Sequence, residues 1–218
     1  MSPLGEPQVL EVTARTLAVS GTALAAALAA GLPLGIWLGR RRFRGRVLGV
    51  SLVNAGMGSP PVVVGLLVSL LLWRSGPLGT LGLMYTPAAM VIAQILIALP
   101  LVVGITLAAV GALDESWELQ VRTLGIPPGR RLWLLLREIR LGVLAAVIAA
   151  LGSIVSEVGA VQAVGGNLDG ETRVLTTSIL MYTQMGRFEM ALALACVLIG
   201  LTLVLAGALT ALQQGGRR

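Results

Sequence analysis

The sequence has 218 residues, of which 56% are hydrophobic and only 12% are charged. A soluble domain carries about twice that share of charge, so the composition excludes an ordinary soluble protein and indicates an integral membrane protein. Histidine is absent and the single cysteine, Cys196, lies in an apolar run, which excludes a disulfide framework and a metal cluster. The net charge of +6 indicates arginines that anchor cytoplasmic loops, so we expect no nucleic-acid partner.

Long runs without charge define the predicted membrane spans. No charged residue lies between Arg46 and Arg74, between Arg74 and Asp114, or between Glu189 and Arg217. A helix needs about 20 apolar residues to cross the hydrocarbon core of a bilayer, and each run is longer than that. Hydropathy therefore predicts an all-α membrane protein with about five transmembrane helices, at residues 17–38, 47–73, 85–113, 139–164 and 188–212.

The second predicted span is interrupted by proline. Ser59 precedes Pro60 and Pro61, and a connector rich in glycine and proline, residues 75–79, leads to the third span. Proline lacks a backbone donor, so this pair is expected to unwind the span locally. Irregular backbone is tolerated in a membrane where it is buried or lines a cavity, which makes the pair a candidate part of a gate. No internal repeat is visible, and we expect one transmembrane domain over residues 1–218.

Arginine placement predicts the orientation of the chain. Twelve of the sixteen arginines fall on one side of the five spans, and cytoplasmic loops carry an excess of basic residues. The N-terminus is therefore expected outside and the C-terminus in the cytoplasm. The predicted cytoplasmic set is Arg40, Arg41, Arg42, Arg44, Arg46, Arg122, Arg130, Arg131, Arg137, Arg140, Arg217 and Arg218, and the outer set is Arg15, Arg74, Arg173 and Arg187.

The longest predicted cytoplasmic insertion, residues 114–138, is typical of two short helices. Asp114 can cap the first helix, and Gly125 can end it before a pair of prolines. The second helix is predicted to begin near Gly129 and to continue into the fourth span. A bent helical projection with a buried-type Trp133 favours a docking element for a partner over an ordinary solvated loop.

This insertion resembles a known motif. Glu118-Leu-Gln-Val-Arg122-Thr-Leu-Gly125, followed by Ile-Pro-Pro-Gly-Arg-Arg-Leu-Trp133, is similar to the EAA loop of ABC importer permeases, which forms a coupling helix in a cleft of the cytoplasmic ATPase. The acidic position is displaced to Glu118, and Arg137-Glu138 stands where Leu-Pro is common. The resemblance implies ATPase-coupling roles for Glu118, Arg122, Gly125, Pro128, Arg130 and Arg131.

Two further stretches resemble a narrower group. Residues 59–67 and 79–87 are similar to the region of the second and third spans in molybdate and tungstate permeases. Residues 156–177, from Ser-Glu-Val-Gly-Ala to Val-Leu-Thr-Thr, resemble the signature of the tungstate permeases of the Tup group. Together these stretches imply a type I ABC importer permease fold and a pathway for tungstate or a similar oxyanion.

Polar residues inside the fourth span are candidates for the lining of that pathway. Ser153, Ser156 and Glu157 are spaced so that they would share one face of a continuous helix. Polar side chains inside a membrane usually face a cavity or the interior of a helix bundle, and the alternative is interhelical hydrogen bonding. A carboxylate would repel an oxyanion, so we expect Glu157 to be protonated or to pair with an arginine such as Arg173 or Arg187.

Neutral donors are better suited to contact an oxyanion. The candidates are hydroxyl groups, including those of Thr176 and Thr177, and backbone N–H groups around Gly165, Gly166 and Asn167, of the kind that bind phosphate-like groups. The alternative for the glycine pair is a turn that leaves the membrane.

The resemblance also implies an assembly and a mechanism. Two permease copies would form a homodimer, two ABC ATPase subunits would drive alternating access, and an extracytoplasmic solute-binding protein would deliver the solute. Without lysine the chain has no phosphate-binding loop, so we expect no enzyme activity and no cofactor in it, with ATP and Mg on the ATPase partner. The expected location is the bacterial plasma (inner) membrane, in contact with lipid.

Other functions stay open at this point. The cargo could be molybdate, sulfate, phosphate or an amino acid. A membrane-embedded enzyme would need a catalytic constellation, and a channel or scaffold would need no ATPase.

Overall fold

The computed structural model describes residues 6–215, and within that range the chain is helical without strands. A short 3-10 turn covers Gly79–Leu81. The helices are α1 (Glu6–Arg40), α2 (Arg46–Met57), α3 (Pro61–Leu72), α4 (Pro87–Gly111), α5 (Glu115–Thr123), α6 (Pro128–Glu138), α7 (Arg140–Val155), α8 (Gly159–Gly165), α9 (Leu175–Gln184) and α10 (Phe188–Gly215).

Three of these helices, α1, α4 and α10, are long and apolar enough to cross a membrane. Two bent pairs, α2 with α3 and α6 with α7, raise the number of spans to as many as five. The prediction of an all-α membrane protein with about five spans is confirmed.

The core forms around α4, which packs against α1, α2, α3, α7 and α8. Thr86 caps the first turn of α4 by accepting a hydrogen bond from the Ala89 N–H, and Pro87 takes the first helical position, where no donor is needed. Pro100 lies inside α4, and small Gly56 of α2 accommodates its ring. The core therefore surrounds a helix whose first turn is capped by Thr86 and whose internal proline is accommodated by α2.

A line of glycines lets α1 approach α4 closely. Gly31, Gly35 and Gly39 are four residues apart and face the same side of α1. A Cβ added at Gly35 would lie 2.7 Å from Thr106 Cβ and 2.8 Å from the Val103 carbonyl oxygen. Membrane helices associate through such small residues because lipid supplies no hydrophobic drive between helices. The sequence analysis did not recognise this pattern.

Two of the predicted spans differ from the helices observed. The fourth predicted span, residues 139–164, is broken between Val155 and Gly159, and α6 meets α7 at a bend of 65° near Ile139 instead of continuing straight into it. The first predicted span began at residue 17, whereas α1 begins at Glu6, because hydropathy detects only the apolar part of a helix whose first turns are polar. Helix α9 was not predicted.

Candidate transport pathway and coupling surface

The second span breaks at its prolines. Pro60 is extended, Pro61 opens α3, and the axes of α2 and α3 differ by 105°. Each of these helices has 12 residues, about 18 Å of rise, which is less than the hydrocarbon core requires. The predicted local unwinding at Pro60 and Pro61 is confirmed. The span is sharply bent there and is divided into two separate helices.

The second break lies in the predicted fourth span. Helix α7 ends at Val155, and the Ser156 hydroxyl turns back to donate to the Gly152 carbonyl oxygen at 2.7 Å. Ser153 is half-buried and Ser156 is exposed, whereas Glu157 is only 8% exposed and lies outside the helix. The prediction that these three side chains share one helix face is therefore wrong, because the helix ends before two of them.

The carboxylate of Glu157 has a structural partner. Its Oε1 accepts a hydrogen bond from the Ala160 N–H at 2.8 Å, which satisfies one of the free donors at the start of α8. The Thr176 hydroxyl donates to the Glu157 carbonyl oxygen at 3.0 Å, so α9 is tied to the same break. The expected arginine partners lie elsewhere: Arg173 pairs with Asp169 at 2.8 Å, and Arg187 stacks on the Tyr182 ring.

The two breaks lie against each other. A Cβ added at Gly65 of α3 would lie 2.5 Å from Ala160 Cα of α8, and one added at Gly159 would lie 2.5 Å from Val62 Cγ2. We refer to residues 58–61 and 156–159 as the paired breaks. Broken helices at membrane depth are tolerated where the freed backbone is buried in protein or lines a polar cavity.

Gln94 adds a polar group to this region that the sequence analysis missed. It is buried in α4, and its Nε2 donates to the Ile154 carbonyl oxygen at 3.4 Å, in the last turn of α7. Its Oε1 is buried without a hydrogen-bond partner within the described chain. Glu157 was selected because it is a polar residue inside a predicted span, and the same criterion could have selected Gln94 in the third span.

Two replacements of Glu157 separate the loss of its hydrogen bond from the loss of an ionisable group. Glu157→Ala removes the acceptor at the start of α8 and is expected to lower the free energy of unfolding by about 0.5–2 kcal/mol, the usual effect of losing a helix cap. Glu157→Gln keeps a side-chain oxygen in place and should retain most of that stability. Thermal unfolding of the detergent-solubilised protein measures both variants. Equal destabilisation by Gln and Ala would contradict the capping role.

The loop after α8 is organised as a turn. Gly166 has φ +70°, and its N–H donates to the Gln162 carbonyl oxygen. A Cβ at Gly166 would lie 2.7 Å from the Tyr85 ring, so glycine is also required by space. Asn167 is left-handed with φ +56°, and its Nδ2 contacts Met181 Sδ at 3.4 Å. Gly166 and Asn167 therefore form a turn directly after Gly165, the last residue of α8.

The two threonines at the start of α9 have structural contacts as well. The Thr177 hydroxyl accepts from the Val174 N–H at 3.1 Å and so caps α9. The Thr176 hydroxyl bonds to the Glu157 carbonyl oxygen, as described above. Among the described contacts, neither Thr176 nor Glu157 shares a hydrogen bond with Asn167. The structure thus joins Glu157 with Thr176 and places Asn167 beyond the C-terminus of α8.

Arg15 ties the first helix to this outer loop. Its guanidinium donates to the Gly170 carbonyl oxygen at 2.6 Å and to the Arg173 carbonyl oxygen at 3.1 Å, and it pairs with Glu11 at 2.6 Å. The Leu175 N–H donates to the Thr16 hydroxyl at 3.0 Å. These contacts place Arg15 and Arg173 at one end of the bundle, which agrees with their assignment to one side of the membrane.

Loss of the Arg15 side chain is expected to loosen this loop. Arg15→Gln removes the charged hydrogen bond to the Arg173 carbonyl, which is partly buried and contributes about 1.5–3 kcal/mol, and the exposed one to Gly170, which contributes less. Backbone amides of residues 168–175 should then exchange with deuterium about tenfold faster or more, as measured by mass spectrometry. Arg74→Gln, an exposed arginine assigned to the same side, is the matched control. Unchanged exchange in the Arg15 variant would show that its contacts with Gly170 and Arg173 do not hold this loop in place.

The cytoplasmic insertion contains the two helices that were predicted. Asp114 accepts a hydrogen bond from the Ser116 N–H at 2.7 Å and caps α5 as expected. That N–H and the Ser116 hydroxyl hold the pKa of Asp114 below its usual value. Gly125 has φ +63°, a left-handed conformation that glycine adopts without strain, and α6 begins at Pro128. The side chains of Glu118 and Arg122, which were predicted to act in coupling, lie outside the described parts of the chain.

The insertion has a buried root and an apolar exposed surface. Leu135 is fully buried and packs with Val110 and Ile139, and Trp117 adds to this cluster. Trp117 is thus partly buried in the fold, whereas Trp133 is 56% exposed and its ring lies 5.5 Å from the Arg137 guanidinium. Among the exposed apolar side chains of the insertion, Leu132 and Leu136 line a groove against α1, and the others, here called the coupling surface, are Leu119, Leu124 and Trp133.

The remaining coupling candidates lie on the same insertion. Gly125, Pro128 and Arg130 are exposed. Arg131 is half-buried, and its Nε donates to the Ile126 carbonyl oxygen, which supports the bend between α5 and α6. A large exposed apolar patch edged by charge is typical of a docking site for another protein.

The long apolar helices and bent helix pairs are those of a multi-pass membrane protein. The chain belongs to the family described as "Binding-protein-dependent transport system inner membrane component", whose profile matches residues 31–218. It is therefore a membrane component of a transport system.

Individual relatives and one solved structure agree with this assignment. The chain is 39% identical over 209 residues to the tungstate uptake system permease protein TupB of Peptoclostridium acidaminophilum, covering 96% of this chain and 92% of that one. It is 40% identical over 200 residues to a probable anion ABC transporter permease protein of Haloferax volcanii, covering 89% and 86%. An inward-facing structure of the MetNI methionine ABC transporter superposes with a TM-score of 0.79 at 18% identity over 99% of this chain and 100% of that chain, a likeness of fold alone.

Proposed function

We propose that this chain is the permease subunit of an ATP-driven importer in a bacterial plasma membrane, and that it forms the pathway for tungstate delivered by a solute-binding protein. The observation that carries the proposal is the identity to a tungstate uptake permease along nearly the whole chain. The family description supports a transport system that depends on a binding protein, and the probable anion permease among the relatives supports the same class of solute.

The paired breaks support a pathway at this position. They bring Val62, which follows Pro60 and Pro61, against Gly159 beside Glu157, and Thr176 from α9 and the buried amide of Gln94 bond to the same segment. An oxyanion needs hydroxyl and N–H donors inside an otherwise apolar bundle, and a break in a helix supplies such groups. Ser153, Ser156, Asn167 and Thr177 stay in the proposal as further candidates from the same segment.

A second permease copy would complete this pathway. Helix α2 has no buried residue, although it is apolar, and it exposes Val47, Leu48 and Leu52. Helix α3 exposes a similar row that includes Val62, Leu66 and Leu70. Burial of this surface in a homodimer would place the paired breaks of both copies around one two-fold axis.

The coupling surface would receive the ATPase subunits. Its leucines and Trp133 surround the bend at Gly125, and the neighbouring Arg130 and Arg131 add charge at its edge. Two ATPase subunits would bind ATP and Mg, while this chain would hold no cofactor and transmit movement through α5 and α6. Glu118, Arg122 and Pro128 belong to the same proposed contact.

Reconstitution tests the proposed function. Proteoliposomes that contain the permease, the ATPase and the binding protein should accumulate tungstate only with ATP, as measured by mass spectrometry of the lumen. Molybdate, sulfate, phosphate and an amino acid, each added in equimolar amount, should compete weakly. Dominant uptake of one of these solutes would replace tungstate, and uptake without the ATPase would contradict the importer class.

A further inference from the structure

A groove runs between α1 and α6. It lies at the end of the bundle that the arginines assign to the cytoplasm. Its volume is about 900 Å³. The floor and one wall are formed by apolar side chains from α1, and the opposite wall by leucines of α6. These residues are Leu28, Leu32, Ile36, Trp37, Leu132 and Leu136.

The charge of the groove is concentrated at one end. Arg41 and Arg131 line its mouth together with Arg40 and Arg42, and no acidic side chain among the described residues contributes to its lining. Arg41 is exposed, and Phe43 packs against the Trp37 ring with 4.7 Å between their centroids. An apolar channel that ends in aromatic rings and guanidinium groups has the charge and polarity of a site for an acyl chain with an anionic headgroup.

The dimensions of the groove match one leaflet of a bilayer. From Leu28 to Arg40 the rise along α1 is about 18 Å, and one leaflet of hydrocarbon is about 15 Å thick. Helix α6 has three arginines and several exposed apolar side chains. A basic face beside an apolar face is typical of helices that lie in the membrane interface. A headgroup beside Arg41 would thus sit at the level of the cytoplasmic headgroups while its chain followed α1.

We infer that this groove binds an anionic phospholipid of the cytoplasmic leaflet, which fills the space between the first span and the coupling segment. The charge of the groove argues against a second copy of the chain, because a two-fold contact at this mouth would bring two sets of arginines together. The inference does not depend on which solute is transported.

Quenching of Trp37 fluorescence by brominated lipids tests the inference. The full-length permease is placed in nanodiscs that contain brominated phosphatidylglycerol or, at the same mole fraction, brominated phosphatidylcholine. The Trp37 signal is taken as the difference between the intact chain and Trp37→Phe. We expect stronger quenching by phosphatidylglycerol, and this preference should fall about fivefold in Arg41→Gln, since one arginine near an anionic surface contributes about that factor.

Arg44→Gln is the matched control, because Arg44 is exposed in the same loop but does not line the groove. It should keep the preference for phosphatidylglycerol. Equal quenching by the two lipids would overturn the inference. Absence of quenching by either lipid would overturn it too, because the groove would then be covered by protein.

Discussion

Gly35→Leu is expected to prevent stable assembly of the helix bundle. The new side chain would meet Thr106 and the Val103 carbonyl oxygen of α4, and a backbone atom cannot move aside without displacing its helix. Overpacking of a well-packed core costs about 1–3 kcal/mol and sometimes more, and α1 has its main contact along this line. Size-exclusion chromatography and thermal unfolding after detergent extraction should show aggregation or a strongly lowered Tm.

Gly21→Leu provides the matched control in the same helix. A Cβ at Gly21 meets no atom within 4 Å, so the larger side chain points into open space. This variant should extract and unfold like the parent protein, and Gly21→Ala should be neutral or slightly stabilising because alanine favours helix. A Gly35→Leu protein as stable as the Gly21→Leu protein would show that the close approach of α1 and α4 is not required.

The double variant Leu119→Arg with Leu124→Arg is expected to abolish recovery of the ATPase subunit with the permease. Both side chains are largely exposed, at 68% and 74%, so the change should leave the permease folded. Burial of each leucine at an interface would contribute about 1.5 kcal/mol or more, and loss of both would weaken binding about a hundredfold. Co-purification and ATPase activity of the assembled complex measure the effect.

Leu78→Arg makes the same chemical change at the opposite end of the bundle. Leu78 is exposed in the connector that was assigned to the outer side, so this variant should retain the ATPase. Normal ATPase recovery with the Leu119 and Leu124 double variant would contradict the proposed docking surface. Equal loss in the Leu78 variant would indicate general damage and would also count against it.

Gly125→Ala separates docking from coupling. The methyl group meets no atom within 4 Å, but φ of +63° costs a non-glycine residue about 1–2 kcal/mol. The bend between α5 and α6 should therefore become less well defined while the exposed leucines remain. We expect ATPase subunits to be recovered and ATP to be hydrolysed with reduced uptake per ATP, and uptake at the parental ratio would refute this role of the bend.

The helices and breaks differ in how far they could be predicted. The lack of charge between Arg74 and Asp114 was sufficient to predict α4, because a bilayer selects for long apolar runs. The break at Pro60 was also predictable, since proline acts through its own covalent structure. The break after Val155 has no proline. Besides the local cap by Glu157, it is stabilised by Thr176 and Gln94, which come from other parts of the chain.

By itself the sequence determined the helical class, the number of spans, the side preferred by the arginines and the bent insertion at Gly125. Each of these follows from local composition or from the conformational preference of single residues. Only the tertiary structure decided that Trp117 packs and Trp133 is exposed, that Thr176 of α9 bonds to the backbone at Glu157, and that three glycines set the contact of α1 with α4. These features depend on which surfaces meet, and that is decided by packing between residues far apart in the chain.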